Sequence, residues 1–263
     1  MDISIACQPV PQRARRLADP KRINRALFGA YYEEDVYDTF CRRLPLAMRA
    51  FWFRIDPAVR ARNLIFVHVP RVAGTSIARA LYGPKTTRHH SMRYFQALDP
   101  AFAQGAQSFA LLRDPFDRFV SSYAFVRSRG TESCRLADVF VADTAHVATV
   151  DDYLSYLELR DDLSLDFVMR RQSWFVSDLK SGAPLVKNLF LYGEDAAAMA
   201  AFLRPYGVGE LPRLNGSNRA PLVLSRRQRS RIEKIYASDF ALIEQVRRRR
   251  GQMTQTATRI AAE

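Results

Sequence analysis

The stretch from Asn63 to Leu81 constrains this chain more tightly than any other. Leu64-Ile65-Phe66-Val67-His68-Val69 is an apolar run rich in β-branched and aromatic residues, and Pro70 ends it. Arg71-Val72-Ala73-Gly74-Thr75-Ser76 then supplies a cation, a glycine and two hydroxyls before an amphipathic helix through Leu81. A buried strand, a tight loop and a helix N-terminus follow in that order. Such a junction presents backbone N–H groups and the positive end of a helix dipole to an anion, and Arg71 adds a full charge beside it. The loop lacks the Gly-x4-Gly-Lys-[Ser/Thr] spacing of nucleoside triphosphatases, so it is a phosphate-binding loop of different wording. The plain alternative is an ordinary strand-to-helix turn with an exposed arginine.

The same alternation continues along the chain. Residues 1 to about 20 are polar, proline-containing and basic, and read as a poorly ordered lead-in. From Arg22 to Ile55, aromatic and aliphatic residues at helical spacing predict two or three helices, broken near Gly29 and Pro45. A helix from about Ser91 to Leu98 is stopped by Asp99-Pro100. Ser108 to Leu112 is a second buried strand. Asp114 as N-cap and Pro115 at the first helical position then start a helix to about Ser128. Gly130 to Val150 has no clear period and reads as a mobile or substrate-facing insert. Asp151 to Leu179 is expected to be mostly helical, Leu185 to Tyr192 a third strand, and Glu194 to Leu203 the helix after it. A long last helix is predicted from Ser225 to about Arg250. Strands alternating with helices give an α/β class with a doubly wound central parallel sheet flanked by helices, and the ligand at the C-terminal ends of the strands. The chain divides into a helical lead-in (1–60), the domain proper (61–250) and a flexible tail (251–263).

Composition narrows the partners. At 263 residues and 48% hydrophobic, the chain can enclose a sizeable core. No segment reaches the roughly 18 to 20 uninterrupted apolar residues of a membrane helix. Leu44 to Ile55 comes nearest and is broken by Arg49 and Arg54. No secretory leader is read in the first residues. Cys7, Cys41 and Cys134 are odd in number and scattered, which argues against a disulfide framework or a zinc site and makes a reducing cytoplasm the default compartment. The net charge of +13 favours an anionic partner without naming it. That charge is dispersed and no nucleic-acid reading motif is present, so nucleic acid is not the expected partner. Arg247-Arg248-Arg249-Arg250 reads as a solvated helix end. Phe51-Trp52-Phe53 among arginines leaves a peripheral contact with a membrane surface open.

Three further groups carry chemistry. Arg113 ends the second strand, and Ser121 lies two turns into the helix that follows; the alternative is an ion pair of Arg113 with Asp114 or Asp117. Arg118 in that helix reads equally as a surface cation. His89-His90-Ser91 precedes a helix between the two loops, and histidine suits a general base at neutral pH. His146 has no motif around it. Asn215-Gly216-Ser217-Asn218-Arg219 is a polar turn ahead of the last helix.

Phe66 to Ser76 resembles the 5′-phosphosulfate loop of the carbohydrate-type sulfotransferases, whose usual wording is Pro-Lys-Thr-Ala-Gly-Thr-Ser. Here Arg71 stands at the lysine and Val72 at the threonine. Arg113 to Tyr123 resembles the family's 3′-phosphate motif, an arginine at a strand end with a serine eight residues on. The resemblance covers about residues 63 to 245 and implies a P-loop-like three-layer sandwich. It also implies a soluble, bacterial-type enzyme that uses 3′-phosphoadenosine 5′-phosphosulfate (PAPS) as co-substrate without a metal. On that pattern Arg71, Val72, Ala73, Gly74, Thr75 and Ser76 hold the 5′ end, and Arg113 and Ser121 the 3′-phosphate. Ser217 and Arg219 close over the nucleotide. The spacing of relatives favours His89 as catalytic base with His90 in reserve, and gives His68 a structural role. Gln172 and Trp174 resemble a helix bordering the acceptor, a sugar-containing molecule, whose pocket wall is expected from Gly130 to Leu179. A phosphate-loop small-molecule kinase and a non-catalytic anion or nucleic-acid binder are the competing readings.

Overall fold

A computed structural model describes residues 20–45, 48–49, 54–83, 88–131, 134–208 and 222–262. Strand β1 (Leu64–Val67) is buried along its whole length, as its apolar sequence requires. It pairs in parallel with β2 (Gln107–Leu112), Leu64 opposite Gln107 and Val67 opposite Ala110. Between them run helices α1 (Gly74–Tyr82), α2 (Met92–Leu98) and α3 (Pro100–Gly105). Helix α4 (Pro115–Arg127) leaves β2. A third parallel strand, Asn188–Leu191, lies on the far side of β2, Phe109 opposite Asn188. The fold is thus α/β, a three-stranded parallel sheet flanked by helices and consistent with a three-layer sandwich. Strand order follows chain order among the described strands.

The outer edge of β1 is closed by a side chain. Tyr82 Oη accepts the Phe66 N–H at 2.9 Å and donates to the Leu64 carbonyl at 2.8 Å, so backbone groups that no described strand pairs are satisfied from the end of α1.

Helix boundaries follow their caps. Ser91 accepts from Tyr94 N–H to open α2, and Asp114 accepts from Phe116 and Asp117 N–H to open α4, with Pro115 at the first position. Thr149 and Asp152 form a reciprocal capping box at helix Val150–Glu158. Beyond Glu158 the expected helix is not continued. The chain passes through a short 3₁₀ turn (Asp162–Ser164) and reaches a single helical turn at Ser173–Val176. Side chains take over the backbone's partners there: Asp161 accepts from Ser164 N–H, Asp166 from Val168 N–H and Asp162 from Arg171 N–H, while Arg170 Nε donates to the Leu165 carbonyl. Gly130 to Val150, left without a period by its sequence, holds a short hairpin (Gly130–Thr131 with Cys134–Arg135) and the helix Asp138–Asp143.

The single last helix is divided. Arg226–Ile235 and Ala237–Ala262 meet at Tyr236, whose hydroxyl donates to the Met169 carbonyl at 2.7 Å. Asp239, fully buried, accepts the N–H groups of Gln172 and Ser173. Both anchors belong to the irregular segment and fix the break. The second helix continues through Ala262, past the residue at which the tail was expected to start.

The lead-in carries the helices Pro20–Phe28 and Glu33–Arg43. The second is fastened by buried charge. Asp35 receives both terminal nitrogens of Arg170 at 2.7 Å each, with neither side chain exposed, and Asp38 lies 3.6 Å from Arg93. No helix among the described residues is long and apolar enough to cross a membrane. Phe51-Trp52-Phe53 lies outside the described residues.

Candidate active site

The loop after β1 turns tightly, with two non-glycine residues, Arg71 (φ 68°) and Ala73 (φ 62°), in the left-handed region. Each such residue costs on the order of 1–3 kcal/mol, held in place by the surrounding packing. Val72 between them is fully buried and acts as the plug. Arg118 supports the loop from beneath. It is buried rather than on the surface, and donates to the carbonyls of Pro70 (3.1 Å), Arg170 (2.6 Å) and Phe167 (3.5 Å). Its position three residues after Pro115 and four before Ser122, both buried, places it on the inward stripe of α4, a signal that helical spacing carries.

Gly74 is needed for close approach. A Cβ there would stand 2.3 Å from His68 Cδ2, 2.7 Å from His68 Nε2 and 3.1 Å from the Phe66 ring. The neighbour that Gly74 admits within the chain is therefore the His68 imidazole. Thr75 and Ser76 are exposed in the first turn of α1, and the N-cap residue, Ala73, makes no side-chain cap. The first-turn N–H groups therefore remain directed at whatever occupies the loop mouth.

Arg71, half-buried, donates from Nε (3.1 Å) and Nη2 (2.9 Å) to Ser121 Oγ, and its guanidinium lies 4.9 Å from the Phe125 ring centre. Arg113, at the end of β2, is held by its backbone: Gln172 accepts its N–H and donates to its carbonyl, both at 2.8 Å. Its guanidinium lies 5.2 Å from the Tyr192 ring centre. Among the described residues Arg113 makes no ion pair with Asp114 or Asp117, and its buried Nε has no hydrogen-bond partner.

His89 is half-buried beside the loop. Its Nδ1 lies 2.9 Å from the His68 carbonyl oxygen. That oxygen can only accept, so Nδ1 carries the proton and Nε2 keeps the lone pair. Burial lowers the His89 pKa, helped by Arg170 and Arg118, while the hydrogen bond to His68 and the Asp166 carboxylate act against it. His68 is lowered well below the ordinary range by burial and His89. His90, stacked 4.0 Å from Tyr94, is lowered to about 3 by burial, Arg88 and His89. All three rings are neutral near pH 7.

The structure therefore brings together Arg71 with Ser121, Arg113 with Gln172, and His89 with the backbone of His68. Gln172 is buried with its amide engaged by Arg113, and Trp174 is buried between the guanidinium groups of Arg93 (4.9 Å) and Arg170 (4.8 Å). Ser217 and Arg219 lie outside the described residues. His146 is exposed. The basic run is a paired surface: Arg247 with Glu194, Arg248 with Glu244, and Arg250 with Asp195. Sequence reasoning missed the layer beneath the loops, where Arg118, Arg170 and Asp166 act on the ring of His89 and Asp35 pairs with Arg170.

The sites at the ends of β1 and β2 supply cations and N–H donors for an anion, with a neutral imidazole nearby. A model of the sulfotransferase family matches residues 58–151, which contain β1, the Arg71–Ser76 loop, His89, β2 and the Arg113–Ser121 segment. No curated protein and no solved structure matches the chain. The family match supports a transferase that moves sulfuryl groups, and the matched region is the one that builds the loops after β1 and β2.

Proposed function

We propose that the protein transfers a sulfuryl group from PAPS to a hydroxyl of a sugar-containing acceptor, with His89 as general base. The observation that carries this reading is the hydrogen bond from His89 Nδ1 to the His68 carbonyl, which leaves Nε2 as a proton acceptor beside the loop. The lowered pKa keeps that nitrogen unprotonated at neutral pH.

In this mechanism the Arg71–Ser76 loop receives the 5′-phosphosulfate and Arg113 receives the 3′-phosphate. The acceptor oxygen attacks sulfur in line as His89 Nε2 takes its proton. The S–O bond to the bridging phosphate oxygen breaks, and charge growing on that oxygen is met by Arg71 and the first-turn N–H groups of α1. Arginine stays charged throughout, so it stabilises the leaving phosphate by charge and by its planar fork and does not protonate it. Ser121, hydrogen-bonded to Arg71, links the two phosphate sites.

The test is thermal stabilisation of the full chain by adenosine 3′,5′-bisphosphate without metal, compared with ADP plus magnesium. A ligand held by the native state raises its melting temperature, by an amount set by its concentration relative to Kd. Stabilisation by the bisphosphate alone supports the proposal. Stabilisation by ADP and magnesium alone transfers the site to a kinase.

A further inference from the structure

A second pocket of about 370 Å³ opens beside the Tyr82-sealed edge of β1. Its floor is buried: Phe66 is 6% exposed, His68 5% and Ala78 2%. Its walls are aromatic, chiefly Tyr82 and the parallel His90–Tyr94 pair, whose planes differ by 10°. Arg54 and Arg88, both exposed, stand at the mouth. Asp56, the acidic residue among the lining, has its carboxylate engaged in capping the helix Pro57–Arg62 through Ala58 N–H. Glu34, across from Arg88, partly offsets that cation. Two of its lining residues carry buried ring nitrogens, His68 Nδ1 and His90 Nδ1, without a hydrogen-bond partner among the described residues. Buried polar atoms are nearly always paired, so two such atoms on residues that line one pocket point to a polar group from outside.

The pocket thus has an apolar, ring-stacking middle, a polar end at two neutral imidazoles and a cationic mouth. We propose that it binds a small hydroxylated aromatic anion. The aromatic ring lies against the His90–Tyr94 stack, the hydroxyl reaches His68 or His90, and the anionic group faces Arg54 and Arg88. A neutral imidazole can donate to or accept from a hydroxyl, whichever tautomer it holds. The site is separate from the phosphate loops: none of Arg71 to Ser76, Arg113 or Ser121 lines it. The His68 ring is the wall between them, lining this pocket on one side and lying against Gly74 on the other.

The probe is 6-hydroxy-2-naphthoate, titrated calorimetrically into the full chain. A ligand of this size in a formed pocket is expected to bind with Kd of about 1 mM or tighter. 2-Naphthoate, without the hydroxyl, and the corresponding carboxamide, without the charge, are expected to bind more weakly. The Arg54→Ala/Arg88→Ala double variant alters two exposed side chains and is expected to keep its melting temperature while losing about tenfold or more in affinity for the naphthoate. Absence of saturable binding, equal binding by wild type and variant, or competition by adenosine 3′,5′-bisphosphate each overturns the proposal. Naphthoate binding without any bisphosphate binding would remove the PAPS reading and leave this site standing.

Discussion

Arg71 Nε and Nη2 converge on a single acceptor, Ser121 Oγ, at 3.1 and 2.9 Å. Fifty residues apart in sequence, the two side chains tie the loop after β1 to the second turn of α4. The 5′ loop and the 3′ motif of the resemblance therefore meet in one contact. Arg71→Ala is expected to lower sulfuryl transfer by about 10²–10³-fold, as loss of a charge-stabilising donor does. Arg71→Lys is expected to retain most of the activity, because the positive charge persists. Ser121→Ala should weaken adenosine 3′,5′-bisphosphate binding by about tenfold, the order of one lost hydrogen bond to a charged group. Steady-state rates and nucleotide titration read these effects; unchanged rates in Arg71→Ala would remove that side chain from the leaving group.

His89 and His90 are adjacent but not equivalent. His89→Gln is expected to cost about 10²–10⁴ in rate, the span of general-base catalysis. His90→Gln, which alters a ring stacked on Tyr94, is expected to leave the rate within about tenfold of wild type. The wild-type rate should rise with pH through a step below the ordinary histidine value and stay level above it, because the lowered pKa leaves His89 neutral at pH 7. A rate that falls across that step would require a protonated His89 in catalysis.

The same burial links stability to acidity. His68, His89 and His90 all have folded-state pKa values below the unfolded value of 6.5. Between the two values the unfolded chain binds more protons, so the stabilisation is complete above 6.5 and is lost as pH falls toward the folded values. His90, lowered to about 3, has the widest numbered window. Each histidine contributes at most about 1.4 kcal/mol per pH unit inside its window. Melting temperature is expected to drop from pH 7 to pH 5, and His90→Phe, which keeps a ring against Tyr94, should flatten that slope.

Asp35 and Arg170 form a fully buried, bidentate pair. Asp35→Ala strands the guanidinium and is expected to cost about 3–5 kcal/mol in urea denaturation. Replacing both residues by apolar ones of similar volume should restore much of that loss, since the desolvation of both charges is then avoided.

Gly74→Ala drives a methyl group into the His68 ring, which has no flexible end to move aside. Destabilisation of about 1–3 kcal/mol and weaker nucleotide binding are expected. His68→Ala made in the same chain should relieve the clash, and a double-mutant cycle measures the coupling. Additive effects would show that the ring does not set the requirement for glycine.

What the sequence made legible is what local spacing encodes. The apolar run of β1, the turn to α1, and the Asp114-Pro115 helix start are each written in a few consecutive residues, and each forms where expected. Leu159 to Gln172 was not legible as irregular structure, because its backbone is satisfied by Asp161, Asp162, Asp166 and Arg170 through contacts that a helical pattern hides. The break at Tyr236 depends on Met169 and Gln172, more than sixty residues earlier. In the candidate site, the Arg71–Ser76 loop and the Arg113–Ser121 segment announced themselves by residue type. The buried layer of Arg118, Arg170 and Asp35 did not, because a charged residue looks solvated until its partner from a distant helix is known.

The tyrosine hydroxyl on the flank of β1 makes the sheet's width a property of one helix residue. An extended peptide arriving there meets a phenol already bonded to the first available amide and carbonyl, so it finds no template to extend. Growth of the sheet from this side, whether by exchange between copies or by fibril-like stacking, must first pull that phenol away.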